Sequence, residues 1–248
     1  MLLMSLALLA ASCASTKKIA YFQGIDDKTI EEQVQKFELR IMPNDNLYIT
    51  VSSINPDAVK IFNNINTDYS QNLSTTSLNM MGYLVDNEGD INFPVVGKVH
   101  LAGMTKEEAI DMLTSKISEY VVNPTVNIRF LNYKVTVLGE VARPGTFTIS
   151  DEKITVPEAL GLAGDMTIYG KRDNVLVARE ANGERTFHRL DMTSPDVFTS
   201  DYFYLQQNDV VYVQPNKARA GSSSYNQNLS LGVSFVSLLV TIITVLTR

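Results

Sequence analysis

The sequence predicts an α+β protein with two β-rich modules, each carrying one helix, followed by an apolar C-terminal helix. Apolar and polar residues alternate in several short runs, the first of them at Leu47, Ile49 and Val51, as half-buried strands require. Helical spacing replaces this alternation at residues 105–120 and 155–166. Because strands and helices do not alternate regularly, the pattern indicates an α+β class and not a doubly wound sheet.

The N-terminus has the composition of a secretory signal. Residues 1–12 are apolar and end in small residues, and Ala10-Ala11-Ser12-Cys13 resembles a bacterial lipobox, although Ala10 replaces the usual leucine and no Lys or Arg precedes the apolar run. Cys13, the only cysteine, is predicted to be lipidated; the alternative is a chance cysteine in a cleaved signal. Ala14 rather than Asp follows it, which favours the outer membrane. Residues 13–36 are expected to form a polar tether.

The first module is expected to cover residues 37–132. Its longest polar stretch, residues 64–79, is rich in Asn, Ser and Thr and predicts a long exposed loop. Short strands precede a helix that begins at a capping box formed by Thr105 and Glu108. Pro124 is expected to end this helix before the chain returns to strand.

The second module is expected to cover residues 133–215. Residues 134–149 predict a hairpin with its turn at Arg143-Pro144-Gly145. A short helix at 155–166 is closed by Gly164, and three strands follow it. Residues 216–228 are polar and predict a linker.

Residues 229–248 are uncharged until the final arginine and predict an outer-membrane-spanning helix. The 19 residues from Leu229 to Thr247 span about 28 Å as a helix, close to the roughly 30 Å of a bilayer's hydrocarbon core. Five hydroxyl residues recur at intervals of four and three and fall on one face of the helix. They are Ser230, Ser234, Ser237, Thr241 and Thr244. The opposite face is aliphatic or aromatic, with Leu239 near its middle.

This hydroxyl stripe has three interpretations, which the residues alone leave open. In a single anchoring helix the hydroxyls would bond to carbonyls of their own helix. In a close helix pair the small residues would form the contact. In a ring of helices the stripe would line a water-filled lumen, making these five residues pore-lining.

Composition argues against several other classes of protein. The net charge of −6 disfavours nucleic acid, which requires a basic surface. Motifs of the GxSxG, P-loop, HExxH and GxGxxG types are absent from the sequence, so no catalytic residue and no cofactor is predicted. Asp86, Glu88 and Asp90 do not complete an EF-type loop and are interpreted as turn residues, so no metal is expected. His100 and His188 are expected to be ordinary surface or half-buried imidazoles.

Several motifs resemble those of outer-membrane polysaccharide export proteins. In the first module, PNDNLYITV, DINFPVVGKVHLAGMTKEEAIDML and NPTVNIRF resemble the polysaccharide export domain of that family. In the second, VTVLGEVARPGTFTI, TVPEALGLAGDM and LQQNDVVYVQP resemble its β-grasp SLBB domain. Asn44 stands where family members usually have glycine, and asparagine also tolerates left-handed backbone angles. The resemblance extends from about Phe37 to Pro215.

The resemblance implies a non-enzymatic lipoprotein of the bacterial outer membrane with its main body in the periplasm. Such a protein would form a homo-oligomeric ring, export capsular polysaccharide or exopolysaccharide, and work with an inner-membrane polysaccharide co-polymerase that often carries a tyrosine-kinase domain. With the family considered, the ring interpretation of the C-terminal stripe is preferred. The alternative is a periplasmic glycan-binding adaptor lipoprotein that docks on a separate outer-membrane β-barrel.

Overall fold

The computed structural model describes residues 19–25, 37–63, 82–181 and 183–219. The expected α+β class is confirmed, because short helices pack on β-rich domains. The elements of the first domain are, in order, β1 (Asn46–Ser52), α1 (Pro56–Val59), β2 (Tyr83–Leu84), β3 (Asp90–Phe93), β4 (Gly97–His100), α2 (Lys106–Ile117) and β5 (Thr125–Phe130). Strands β2, β1 and β5 form an antiparallel sheet, and β3 pairs with β4 in a separate hairpin.

Helix α2 begins as the sequence predicts and ends earlier than expected. The Thr105 hydroxyl accepts the Glu108 N–H at 3.2 Å, and the Glu108 carboxylate accepts the Thr105 N–H at 2.8 Å, which confirms the capping box. The helix ends at Ile117 and not at Pro124. The Ser118 N–H makes the last of the consecutive helical bonds, to the Thr114 carbonyl, which also accepts the Ser118 hydroxyl, and the Tyr120 N–H then donates to the Ile117 carbonyl in a tighter turn.

The second domain is a five-stranded mixed sheet with one helix. Its elements are β6 (Lys134–Gly139), β7 (Gly145–Thr148), α3 (Val156–Leu162), β8 (Gly170–Ala181), β9 (Glu184–Leu190), a 3-10 turn (Pro195–Thr199) and β10 (Val210–Pro215). The strand order is β7-β6-β10-β8-β9, and only the β6–β10 pair is parallel. Helix α3 lies between β7 and β8 in the chain. It buries Val156, Ala159 and Leu160 in the core.

The glycine of the GEV sequence is required by close packing. Gly139 has φ +92°, and a Cβ atom there would lie 2.1 Å from the Val213 carbonyl oxygen of β10. The predicted hairpin is present, but its connection is longer than a tight turn at residues 143–145. Val141 is buried in that connection and pairs with Met166, so the loop packs onto the domain before β7 begins.

Each domain has its own hydrophobic core, and the segment from Phe130 to Asn132 lies at their junction, where the Gln207 side chain donates to the Asn132 carbonyl at 2.7 Å. Phe130, at the end of β5, packs against both cores. The Asn132 side chain accepts the Asn46 N–H at 2.8 Å and donates to the Asn44 carbonyl at 2.9 Å. Asn44 itself has φ +70°, the left-handed conformation that asparagine was expected to tolerate.

Residues 19–25, within the expected tether, are docked on the second domain. The Phe22 N–H donates to the Met192 carbonyl at 3.1 Å, and the Gln23 N–H donates to the Thr193 carbonyl at 2.6 Å. The Phe22 ring lies 4.8 Å from that of Phe198. This part of the chain is therefore held by backbone pairing and by aromatic packing.

Several sequence-based expectations concern residues that the structure does not describe. Cys13, the loop at 64–79 and the helix at 229–248, with its five hydroxyl residues, all lie outside the described ranges. Within those ranges, no helix is both long enough and apolar enough to cross a bilayer. The lipid anchor, the membrane helix and the pore-lining residues therefore stay predictions.

Candidate functional site

A cleft of about 660 Å³ lies between the two domains. The start of α2 lines one side, from Thr105 to Glu107, and the loop at 151–153 lines the other. Residues 37–39 and Phe130 complete the lining. The capping box fixes the helical side, because it sets the direction in which the chain enters α2.

Aromatic rings border the cleft. The Phe37 ring stacks on Tyr204 at 4.9 Å between centroids, with 20° between the ring planes. The Lys153 ammonium lies 5.8 Å from the centre of the Tyr204 ring, and Phe203 meets the same ring edge-on at 5.2 Å. The cleft therefore offers an apolar aromatic surface beside charged side chains.

The lining carries more acidic than basic side chains. Four carboxylates, those of Glu38, Glu107, Asp151 and Glu152, stand against two ammonium groups, those of Lys106 and Lys153. Lys106 forms an ion pair with Glu152, which links the two domains across the cleft. Aromatic surface with surrounding hydrogen-bonding groups suits an uncharged sugar, whereas the excess of carboxylates would repel an acidic one.

A buried ion pair in the second domain holds the loop that carries Tyr204. Arg179 Nε lies 3.1 Å from each Asp209 carboxylate oxygen, and Arg179 Nη2 lies 2.7 Å from Oδ2. Arg179 also donates to the Tyr204 carbonyl at 2.8 Å. Burial raises the pKa of Asp209, while the Arg179 guanidinium and the Gln206 N–H lower it. This pair is not evident from the sequence motifs, although Arg179 follows Val175 and Val177 on the buried side of the alternation.

The acidic turn at residues 86–90 is occupied by a lysine. Oxygen atoms of Asp86, Glu88 and Asp90 lie within 4.8 Å of one another, which is close enough for a shared cation. The Lys98 ammonium lies 2.5 Å from Glu88 and 3.0 Å from Asp90, and hydrogen bonds to both raise its pKa. Hydrogen bonds from Lys98 and His100 lower the pKa of Asp90. Asp86 also accepts the N–H groups of Glu88 and Asp90, which supports its interpretation as a turn residue.

The remaining residues singled out from the sequence are exposed and lie apart. Arg143 donates to the Leu162 carbonyl at the end of α3 at 3.3 Å. His100 in β4 lies 2.7 Å from Asp90, and His188 in β9 stacks on Tyr202 at 4.6 Å. Because the two histidines belong to different domains, the structure does not bring them together.

Comparisons with known proteins divide the chain into two matched regions. The family described as "Polysaccharide biosynthesis/export protein" matches residues 33–131, and the SLBB domain matches residues 133–213. The EPS I polysaccharide export outer membrane protein EpsA of Ralstonia solanacearum is 32% identical over 143 residues, which are 56% of this chain and 37% of that protein. The protein of the same name from Ralstonia nicotianae is 38% identical over 102 residues, 40% of this chain and 27% of that protein. The matched regions thus cover well under half of either relative.

Proposed function

The chain belongs to the polysaccharide biosynthesis/export family and carries an SLBB domain, and on that premise we propose that it is a component of an outer-membrane system that exports exopolysaccharide or capsular polysaccharide. Members of this family are transport components, and the chain is not an enzyme. The observation that supports the proposal is the succession of both matches over residues 33–213, each on a domain with its own core. Both relatives are named for polysaccharide export at the outer membrane.

Deleting the gene in the producing bacterium tests this proposal. We expect intact polymer to accumulate in the periplasm while the cell surface loses it, because synthesis continues and the exit is missing. Expression of the full chain should restore the surface polymer. Normal surface polymer in the deletion strain would contradict export, and loss of the polymer altogether would indicate a role in synthesis.

We infer that residues 37–132 and 133–215 form the periplasmic body and that Cys13 attaches it to the outer membrane. The lipobox-like sequence supports the lipid anchor. The mass of the mature protein from the producing bacterium should lack residues 1–12 and include a diacylglyceryl group. A mature protein that retains Met1 would contradict this assignment. The inner-membrane co-polymerase stays a proposed partner, supported by family membership.

The C-terminal segment is proposed to form a ring of helices around a polysaccharide passage. The regular spacing of Ser230, Ser234, Ser237, Thr241 and Thr244 supports it. Neutral hydroxyls offer hydrogen bonds to a sugar without binding its charges strongly, and conduction requires contacts that break easily.

Single cysteines test this proposal in a background that has only Cys13. Cysteines at Ser234, Ser237 and Thr241 should react with a water-soluble reagent that does not cross membranes, whereas one at Leu239 on the opposite face should not. Equal protection at all four positions would contradict the pore and leave the anchoring helix or the helix pair.

We also propose that the interdomain cleft contacts uncharged stretches of the polymer, whether the protein is a pore subunit or an adaptor. The stacked Phe37 and Tyr204 rings support this role. Short neutral oligosaccharides from a partial hydrolysate of the strain's own polymer should bind the full chain, and Phe37→Ala should weaken that binding several-fold. Phe187→Ala, at an exposed aromatic of β9 outside the cleft, is the matched control. An equal effect of both changes would contradict this site.

A further inference from the structure

The two ends of the described chain meet on one short segment of the second domain, residues 165–172. From the N-terminal side, the Tyr21 hydroxyl donates to the Asp165 carboxylate, and its ring lies 5.2 Å from the Arg172 guanidinium. Arg172 is buried and donates to three carbonyls of the same segment, those of Met166, Thr167 and Gly170. Tyr21 therefore fastens the N-terminal segment to a rigid part of the domain.

The C-terminal side reaches the same segment. After β10, the Asn216 N–H donates to the Tyr169 carbonyl at 2.7 Å, and the Asn216 side chain donates to the Ile168 carbonyl at 3.4 Å. The Arg219 guanidinium lies 5.9 Å from the centre of the Tyr169 ring and 3.5 Å from Glu140. The chain thus enters and leaves the described structure beside residues 165–172.

This segment lies at the end of the second domain that is remote from the first. Strands β6 and β10 are parallel, and both run from the domain junction near Asn132 toward Gly139 and Pro215. Glu140, just beyond β6, accepts the Thr167 hydroxyl at 2.9 Å. The six residues of β6 extend about 20 Å at roughly 3.3 Å per residue, which separates the segment from the first domain.

The surface at this end combines exposed apolar residues with cations, and we call it the distal tip. Its apolar members are Leu162, Ile168 and Tyr169, of which Ile168 is 67% exposed. Its exposed cations include Arg143, which contacts the Leu162 carbonyl, and Lys217. Two of the nearby acids are engaged, since Asp165 accepts a hydrogen bond from Tyr21 and Glu140 pairs with Arg219, whereas Asp173 is exposed. Apolar tips surrounded by Lys and Arg are typical of surfaces that rest on lipid headgroups.

The chain segments beyond the distal tip are short. Cys13 precedes Ile19 by six residues, which span at most about 22 Å when fully extended. Leu229, the first residue of the predicted membrane helix, follows Arg219 by ten residues, which reach about 36 Å at most. Both proposed membrane attachments therefore start from the same surface and hold it close to the bilayer.

We propose that the distal tip lies directly on the inner leaflet of the outer membrane, with Ile168 and Tyr169 at the level of the lipid headgroups and Arg143 and Lys217 beside the lipid phosphates. This inference rests on the proposed outer-membrane location. It adds a lipid-contacting surface on the folded domain, separate from the lipid at Cys13 and from the C-terminal helix. The first domain then projects away from the membrane.

A single tryptophan tests this contact, because the chain contains none. The full-length protein, with its anchors, is reconstituted in phosphatidylethanolamine–phosphatidylglycerol vesicles whose acyl chains carry bromine near the headgroups. The fluorescence of Ile168→Trp should be several-fold weaker in the brominated vesicles than in unbrominated ones. Its emission maximum should lie at a shorter wavelength than that of a water-exposed tryptophan. Ile54→Trp, at an exposed position of the first domain, is the matched control and should be quenched little.

Two results would overturn the proposal. Equal quenching at positions 54 and 168 would show no preference of the distal tip for lipid. A blue shift at position 168 without quenching would show that protein, such as a second copy, covers the tip. Leu162→Trp repeats the test at an independent exposed position. Polymer export is measured separately in cells, so normal export without quenching would overturn the lipid contact and leave the proposed function standing.

Discussion

Arg179 and Asp209 show how one buried pair of side chains supports the edge of the interdomain cleft. Asp209 is fully buried and Arg179 is 9% exposed, so each buried charge is compensated by the other. Arg179 extends the same network to the Tyr204 carbonyl. The pair therefore connects strand β8 with the aromatic residue on which Phe37 stacks.

Removing one partner of this pair should strongly destabilise the second domain. We expect Asp209→Ala to lower the free energy of unfolding by about 3–5 kcal/mol, because it leaves a buried guanidinium without its carboxylate. Urea unfolding measures the change. The double change Arg179→Met with Asp209→Leu should recover part of the loss, since no buried charge then remains. A loss below about 1 kcal/mol for Asp209→Ala would contradict this role.

Asp45 should make the first domain less stable as the pH rises. Burial raises the pKa of its carboxyl to about 6, and only the Met42 N–H opposes this shift. The folded state therefore binds the proton more tightly than the unfolded chain, and this contribution to stability is lost as the pH rises from about 4 through 6. We expect Asp45→Asn to raise the free energy of unfolding by about 1–3 kcal/mol near pH 7.

The pH dependence distinguishes the effect of the raised Asp45 pKa from a general gain in stability by the substitution. Near pH 4 the native carboxyl is protonated, so Asp45→Asn and the native protein should have nearly equal stability. Asp111→Asn, at an exposed position of α2, is the control and should change stability by less than about 0.5 kcal/mol at either pH. A gain that is the same at both pH values would contradict the raised pKa.

At the scale of elements, the sequence predicts what local chemistry determines. The capping box of α2 and the closure of α3 before Gly164 follow from short-range contacts, and both are observed. Pro124 predicts a later end of α2 than the one observed, because the backbone changes to a tighter turn after Ser118, where the Tyr120 N–H donates to the Ile117 carbonyl. The connection at 140–144 is longer than the turn that the sequence predicts. Its anchoring pair, Val141 with Met166, is 25 residues apart in the sequence and leaves no local pattern.

Loss of the capping hydroxyl should weaken the first domain by a moderate amount. Thr105→Ala removes the acceptor of the Glu108 N–H, and we expect the free energy of unfolding to fall by about 1 kcal/mol. Ser115→Ala, at an exposed position in the same helix, is the control and should be neutral or slightly stabilising. Equal effects of the two changes in thermal or urea unfolding would contradict the cap's contribution.

At the scale of the whole molecule, the sequence predicts the two modules but not the contacts between distant segments. Alternation and helical spacing indicate two β-rich modules, and two separate cores are observed. Nothing local indicates that Tyr21 reaches Asp165, because that contact spans 144 residues. The same holds for the interdomain cleft, which forms only when residues 37–39 meet the loop at 151–153.

The proposed polysaccharide passage requires several copies of the chain that assemble around it. A single copy cannot enclose a lumen with one C-terminal helix, whereas a ring can place one hydroxyl stripe from each subunit around it. The family match supports export, and the mass of the assembled complex gives the number of subunits.

The most direct test is the mass of the complex extracted from the outer membrane of the producing bacterium in mild detergent. The 248-residue chain has a mass of 27.5 kDa. The proposed ring predicts a single species at a whole-number multiple of the mature subunit's mass, large enough to be closed. A species with the mass of one subunit, in cells that place polymer normally on their surface, would contradict it.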